Sequence, residues 1–119
     1  MKDNVIKIKS FAFAIRIVKL YQFLKTDKKE YVLSRQLLKS DTSVGALIRE
    51  AEQAESRADF KHKLSIAQKE INEAIYWLEL LRATDYLIES QFESINKYAV
   101  EIIKILTSII KSTKLTIDN

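Results

Sequence analysis

The chain has 119 residues, enough for one domain around one small core. With 47% hydrophobic and 30% charged residues, no Pro, no Cys, one Gly and one His, it is no disordered chain, no disulfide scaffold, no cysteine-nucleophile enzyme and no cysteine-based zinc protein. The net charge of +4 is uneven: residues 1–39 hold ten Lys/Arg against three Asp/Glu, residues 40–93 six against eleven, and residues 94–119 four against two.

Apolar residues recur in steps of three and four along four segments, which is helical spacing; no segment alternates with period two as a strand would. The first stripe is Phe13, Ile17, Leu20 and Leu24, and a helix is expected near 10–25. Arg16 and Lys19 interrupt its apolar run, so it reads neither as a signal segment nor as a membrane span. With the missing cysteines, this gives a soluble, cytoplasmic expectation and no membrane partner.

The second stripe, Leu33, Leu37, Val44, Leu47 and Ala51, gives a helix near 28–54, opened by Asp27 three residues before Glu30. It contains the only glycine, Gly45. A mid-helix Gly costs about 1 kcal/mol against Ala. Close approach of another backbone would offset that, and Ser40–Ser43 is the place for a kink. The alternative is a true break between two shorter helices, and the continuous helix is preferred.

The third stripe is the longest: Phe60, Leu64, Ala67, Ile71, Ala74, Leu78 and Leu81, on a helix near 57–83 capped by SRAD (56–59). The fourth is Phe92, Ile95, Ala99, Ile102, Leu106 and Ile109, on a helix near 91–112 capped by SQFE (90–93). In each box the Ser oxygen accepts from first-turn amides and the acid reaches back to the Ser amide. Short connections make neighbours antiparallel, so the expected fold is all-α: one up-down-up-down four-helix bundle over residues 1–119.

Several apolar residues fall outside these stripes: Phe11, Ile15 and Val18 on the first helix, Ile66, Trp77 and Leu80 on the third, Ile103, Ile110 and Ile117 on the fourth. A small bundle needs only one apolar face per helix. Large exposed apolar patches are rare on monomers. Phe11, Ile15, Val18, Trp77, Ile103 and Ile110 are therefore the candidate subunit interface of a homo-oligomer; the alternative is that wide stripes simply fill the core.

The residues SDTSVGALIREA (40–51) and AESRADFKHKLSIAQKEINEAIYWLELL (54–81), above all Asp59, Phe60, His62, Lys63, Leu64, Ala67, Glu70, Tyr76, Trp77 and Leu78, resemble a known family. It is the small bacterial four-helix bundle family encoded in intervening sequences of ribosomal RNA genes, which includes the accessory variability protein of diversity-generating retroelements. The resemblance spans nearly the whole chain. It implies an antiparallel bundle, often a ring of five subunits. For the retroelement branch it implies a positively charged surface that binds nucleic acid and a reverse transcriptase. Leu47 stands where the family carries Asn and Ala51 where it carries Gly, while Ile48 and Glu50 are kept.

Chemistry is thin. Asp59-x-x-His62 has the spacing of half a carboxylate-bridged metal site, but one His cannot complete it. Glu70 and Glu73, with Glu50, could form a carboxylate pair and read instead as ion-pairing groups. A single Gly leaves no phosphate-cradling loop. No cofactor, no metal and no enzyme activity are expected. The basic stripes are the stronger lead: Lys9, Arg16 and Lys19 on the first helix, Lys28, Arg35 and Lys39 on the second. If these merge across antiparallel neighbours they form a patch for an RNA or DNA backbone, with Tyr21, Tyr31 and Tyr98 as candidate stacking residues. The competing reading is a structural oligomer whose basic and acidic segments satisfy each other.

Overall fold

The computed structural model describes residues 2–113, with side chains from Val5 onward; Ile117 lies outside the described residues. Four helices follow one another: α1 Lys2–Thr26, α2 Leu33–Ala51, α3 Arg57–Ala83 and α4 Glu89–Ser112. Each packs against two others, α1 on α2 and α4, α3 on α2 and α4; the diagonal pairs do not meet. The result is an antiparallel bundle of 54 × 21 × 20 Å, as the apolar spacing and short connections require.

The core is the four stripes closed on each other. Phe13, Ile17, Leu20 and Leu24 of α1, Leu64 to Leu81 of the α3 stripe and Ile95 to Ile109 of the α4 stripe are buried, while Phe60 and Phe92 at the stripe ends are only partly so. On α2 the buried face is rotated from the expected one. It runs Ser34, Leu37, Ser40, Asp41, Val44, Ile48 and Ala51, and Leu33 and Leu47 sit at its edge.

The helix ends differ from expectation in instructive ways. α1 begins at Lys2 instead of near residue 10. Its stripe continues through Ile6, with Ser10 filling the register position between Ile6 and Phe13. Ser10 tolerates burial because its hydroxyl donates to the Lys7 carbonyl at 3.1 Å. α2 begins at Leu33 instead of 28. Lys29 adopts a left-handed backbone (φ 56°), which stops any helix there.

The expected Asp27–Glu30 box does not form. Glu30, itself buried, reaches forward and accepts from the amides of Val32, Leu33 and Ser34 at 3.1, 2.8 and 2.7 Å. Burial works against its charge, but the bonds from Leu33, Ser34 and Val32 outweigh it and hold the carboxyl below the ordinary range. At α3, Ser56 accepts from the Asp59 amide at 3.0 Å as expected, but the Asp59 carboxylate takes the Glu55 amide instead of that of Ser56. At α4 the pairing slides two residues, with the Ile88 amide donating to the Gln91 side chain at 3.0 Å.

α2 is continuous through Gly45. No backbone approaches it: a Cβ built there meets nothing within 4 Å. The close-approach explanation is therefore overturned, and Gly45 is a local cost to the helix. Gly45→Ala should raise stability by about 0.5–1 kcal/mol in a urea titration. Glu30→Ala should cost about 0.5–2 kcal/mol at neutral pH, the worth of a helix cap. Because the folded carboxyl is held low, that stabilisation is present above its unfolded pKa and fades as the pH falls through the folded one, so the two proteins should converge in acid.

Candidate subunit and nucleic-acid interface

The outer face of α1 is apolar. Val5, Ile8, Phe11, Ile15 and Val18 are 42, 68, 56, 44 and 39% exposed, respectively. Ile8, Phe11, Ile15 and Val18 step by three and four, so they form one stripe directed away from the core. Elsewhere the exposed large apolar residues are isolated: Tyr31 and Val32 in the α1–α2 connection, Tyr76 on α3, Ile88 before α4 and Val100 on α4. Of the six expected interface residues, Phe11, Ile15 and Val18 belong to the α1 stripe. Trp77, Ile103 and Ile110 are half-buried and packed against the core.

The basic residues divide between two flanks. On α1, Lys9 pairs with Glu101 of α4 at 3.2 Å. Arg16 donates to Ser94 Oγ at 3.0 Å and stacks 5.1 Å from the Tyr98 ring centre. Lys19 lies beside Arg16 on an open groove of about 390 Å³ between α1 and the first turns of α4, also lined by Phe23, Ser90 and Ser94. This set faces α4. Arg35 and Lys39 lie on α2, across α1 from that groove, and Lys28 is in the connection with its ammonium 5.9 Å from the Phe23 ring. The two stripes do not merge side by side, because the exposed α1 face runs between them.

At the end where α1 meets α2, charge does accumulate. Lys19, Lys25, Lys28, Lys29, Arg35 and Lys39 take no part in the ion pairs of the described residues, which join Lys7 to Glu52, Lys9 to Glu101, Lys63 to Glu50 and Arg82 to Glu89. The buried Glu30 is committed to the α2 amides. Tyr31, in the same connection as Lys28 and Lys29, is 49% exposed. Tyr98 is covered by Arg16, and Tyr21 lies under the Lys25 ammonium at 5.7 Å. Lys25 and Lys29 were missed as candidates because they lie at the junction of the two helices, off the basic stripe of either one. Only the turn at Lys29 brings them to the same end.

Glu50 and Glu73 have separate structural partners. Glu50 pairs with Lys63 at 3.4 Å. Glu73 accepts from Ser40 Oγ at 2.9 Å and from the Trp77 indole at 3.4 Å. Across the α3–α4 connection Arg82 bonds Glu89 and holds its carboxyl low, while Glu89 pushes the neighbouring Glu93 carboxyl up. His62 is exposed on α3. Among the described residues no cluster of His, Cys, Asp or Glu is placed to hold a metal, and no helix is long and apolar enough to cross a membrane.

One core group stands apart. Asp41 is 1% exposed and neither of its carboxyl oxygens has a hydrogen-bond partner. Burial pushes its pKa from 3.8 to about 7. An acid whose folded pKa is raised loses folded-state stability as the pH climbs from the unfolded value to the folded one. Asp41→Asn should therefore gain on the unchanged protein by about 4 kcal/mol between pH ~4 and ~7, then hold that advantage, in thermal melts across that range.

Comparison with known proteins gives a consistent picture. A family model described as 23S rRNA-intervening sequence protein matches residues 2–108. The crystal structure of a protein of unknown function from the S23 ribosomal protein family of Bacteroides thetaiotaomicron VPI-5482 is 62% identical, covers 94% of this chain and 100% of its own, and superposes with a TM-score of 0.93. No curated protein matches the chain.

Proposed function

The chain belongs to the 23S rRNA-intervening sequence protein family, and from that premise we propose that it is a non-enzymatic, homo-oligomeric module that presents a basic end to RNA or DNA. The observation that carries the nucleic-acid half is the group of six cations from Lys19 to Lys39, none held by a carboxylate, with an exposed Tyr31 in the connection between the two helices. Phosphate backbones bind such groups by displacing condensed counterions, and an exposed ring adds a stacking surface. No base-reading motif accompanies them, so the expected recognition is of backbone and shape. A nucleic-acid-processing protein, such as the reverse transcriptase of the retroelement branch, is the protein partner this reading accommodates.

The oligomeric half rests on α1. An apolar stripe of four side chains from Ile8 to Val18, with Val5 beside it, is more than an isolated monomer usually leaves in water. Assembly through α1, in a ring of five or another closed form, covers the stripe and leaves the α1–α2 end accessible. The same stripe is equally at home in a structural oligomer that binds no nucleic acid, which is the competing reading.

Binding of a labelled duplex DNA and a labelled structured RNA between about 50 and 200 mM salt separates the two. The proposal expects affinity to fall log-linearly with salt, and Arg35→Glu with Lys39→Glu to weaken binding and flatten the duplex slope by about 1–2. A well-formed oligomer that binds neither probe at low salt leaves only the structural reading. Separately, Phe11→Glu with Ile15→Glu should lower the particle mass in light scattering without loss of helicity; an unchanged mass removes the α1 face from the interface.

A further inference from the structure

The core of a small bundle rarely holds a carboxyl, and Asp41 is placed where one is hardest to keep ionised. It lies between Leu37 and Val44 on the buried face of α2, with both oxygens closed off from water and unbonded. A neutral acid can stay there at modest cost; a carboxylate without a donor or cation cannot.

The groups around it offer no rescue. On α2, the neighbouring Ser40 hydroxyl is given to Glu73, and the Ser34 hydroxyl to the Glu30 carbonyl. Arg35, Lys39 and Arg49 are on the exposed side of the helix. From α3, the charged groups along the α2 seam are Lys63, held by Glu50, then Glu70, and Glu73, whose charge has the wrong sign. From α1, they are Lys7, held by Glu52, and Lys25 over Tyr21, while Lys9 and Arg16 are turned to α4. Helix α4 is diagonal to α2 and does not touch it. None of these groups donates to Asp41.

The helix that carries Asp41 packs closely on α1 and α3 but has local weaknesses of its own. At 19 residues α2 is the shortest of the four, against 24 to 27 for the others. It contains the unsupported Gly45, and its first turn hangs on the single Glu30 carboxylate. An unanswered buried carboxyl, an interior Gly and a first turn held by one side chain are costs specific to α2, and they lower the free energy of opening it.

We propose that α2 is a proton-gated element of the bundle: protonated Asp41 lets it dock between α1 and α3, and loss of that proton favours a local opening of α2 that brings Asp41 into water while α3 and α4 stay folded. The responsive window follows from linkage. In the closed helix the carboxyl keeps its proton up to about pH 7, while in the open one it behaves as an ordinary Asp, near 3.8. Opening is therefore favoured progressively between these values and no further above the higher one.

Hydrogen exchange by mass spectrometry on the full chain, corrected for intrinsic rates, tests this. Protection of peptides within 33–51 should fall about tenfold per pH unit from about pH 5 to 7 and level off above it, while peptides within 57–83 and 89–112 change far less. Asp41→Asn should make α2 protection independent of pH over that range. Flat protection in the unchanged protein, an equal fall in all helices, or an equal fall in Asp41→Asn overturns the proposal. A carbon NMR titration of the Asp41 carboxyl in the unchanged chain decides the matter if the variant folds poorly: a midpoint near 7 supports the gate, and one in the ordinary carboxylate range overturns it.

Discussion

Helix α1 has two apolar faces and the bundle can bury only one of them. Phe13, Ile17, Leu20 and Leu24 are turned inward and lost from water. Full burial of each such side chain is worth roughly 1.5–3 kcal/mol, so this face sets how the helix rolls. That roll decides everything placed on the rest of α1. It leaves Ile8, Phe11, Ile15 and Val18 outside, turns Lys9 and Arg16 toward α4, and brings Lys7 and Phe11 to α2. The surface of the molecule is the remainder after the core has been satisfied, and on α1 that remainder is both apolar and cationic.

The same logic separates cations with work to do inside the chain from those without it. Arg16 satisfies Ser94 and Tyr98, and Lys9 satisfies Glu101. Exposed pairs of this kind contribute little to stability, commonly under 1 kcal/mol, but they occupy the side chains and fix the α1–α4 seam. The cations from Lys19 to Lys39 have no such carboxylate partners. The left-handed turn at Lys29 and the cap at Glu30 gather them at one end.

How much of this could be read beforehand depended on whether the signal was local. The α3 stripe has no polar interruption, and its helix was legible to the residue, 57–83. On α1, Ser10 in a core position hid the first two turns. On α2, Ser34, Ser40 and Asp41 lie in the buried face, so the apolar pattern pointed to Leu47 where Ile48 is the core residue. The four-helix class and the outer α1 stripe were both visible as periodicity. Trp77, Ile103 and Ile110 were read as surplus because a helix with two neighbours buries a wider face than a single stripe. The partners of Lys9 and Arg16 lie on α4, more than 75 residues away in the chain, and no local spacing encodes them. Asp41 did have a local sign, an acid at a core position between Leu37 and Val44, but only the packed helices show that nothing answers its charge.

Hydroxyl-radical footprinting of the full chain, free and with duplex DNA or structured RNA, reads assembly through α1 and binding at the α1–α2 end in one experiment, since three exposed rings report on three surfaces. Phe11, Tyr31 and Tyr76 are 56, 49 and 54% exposed in the single chain. Phe11 should already be shielded in the free protein by assembly, Tyr31 should react until nucleic acid is added, and Tyr76 should react in both states. Phe11 as reactive as Tyr76, with Tyr31 unchanged by either nucleic acid, would contradict both readings.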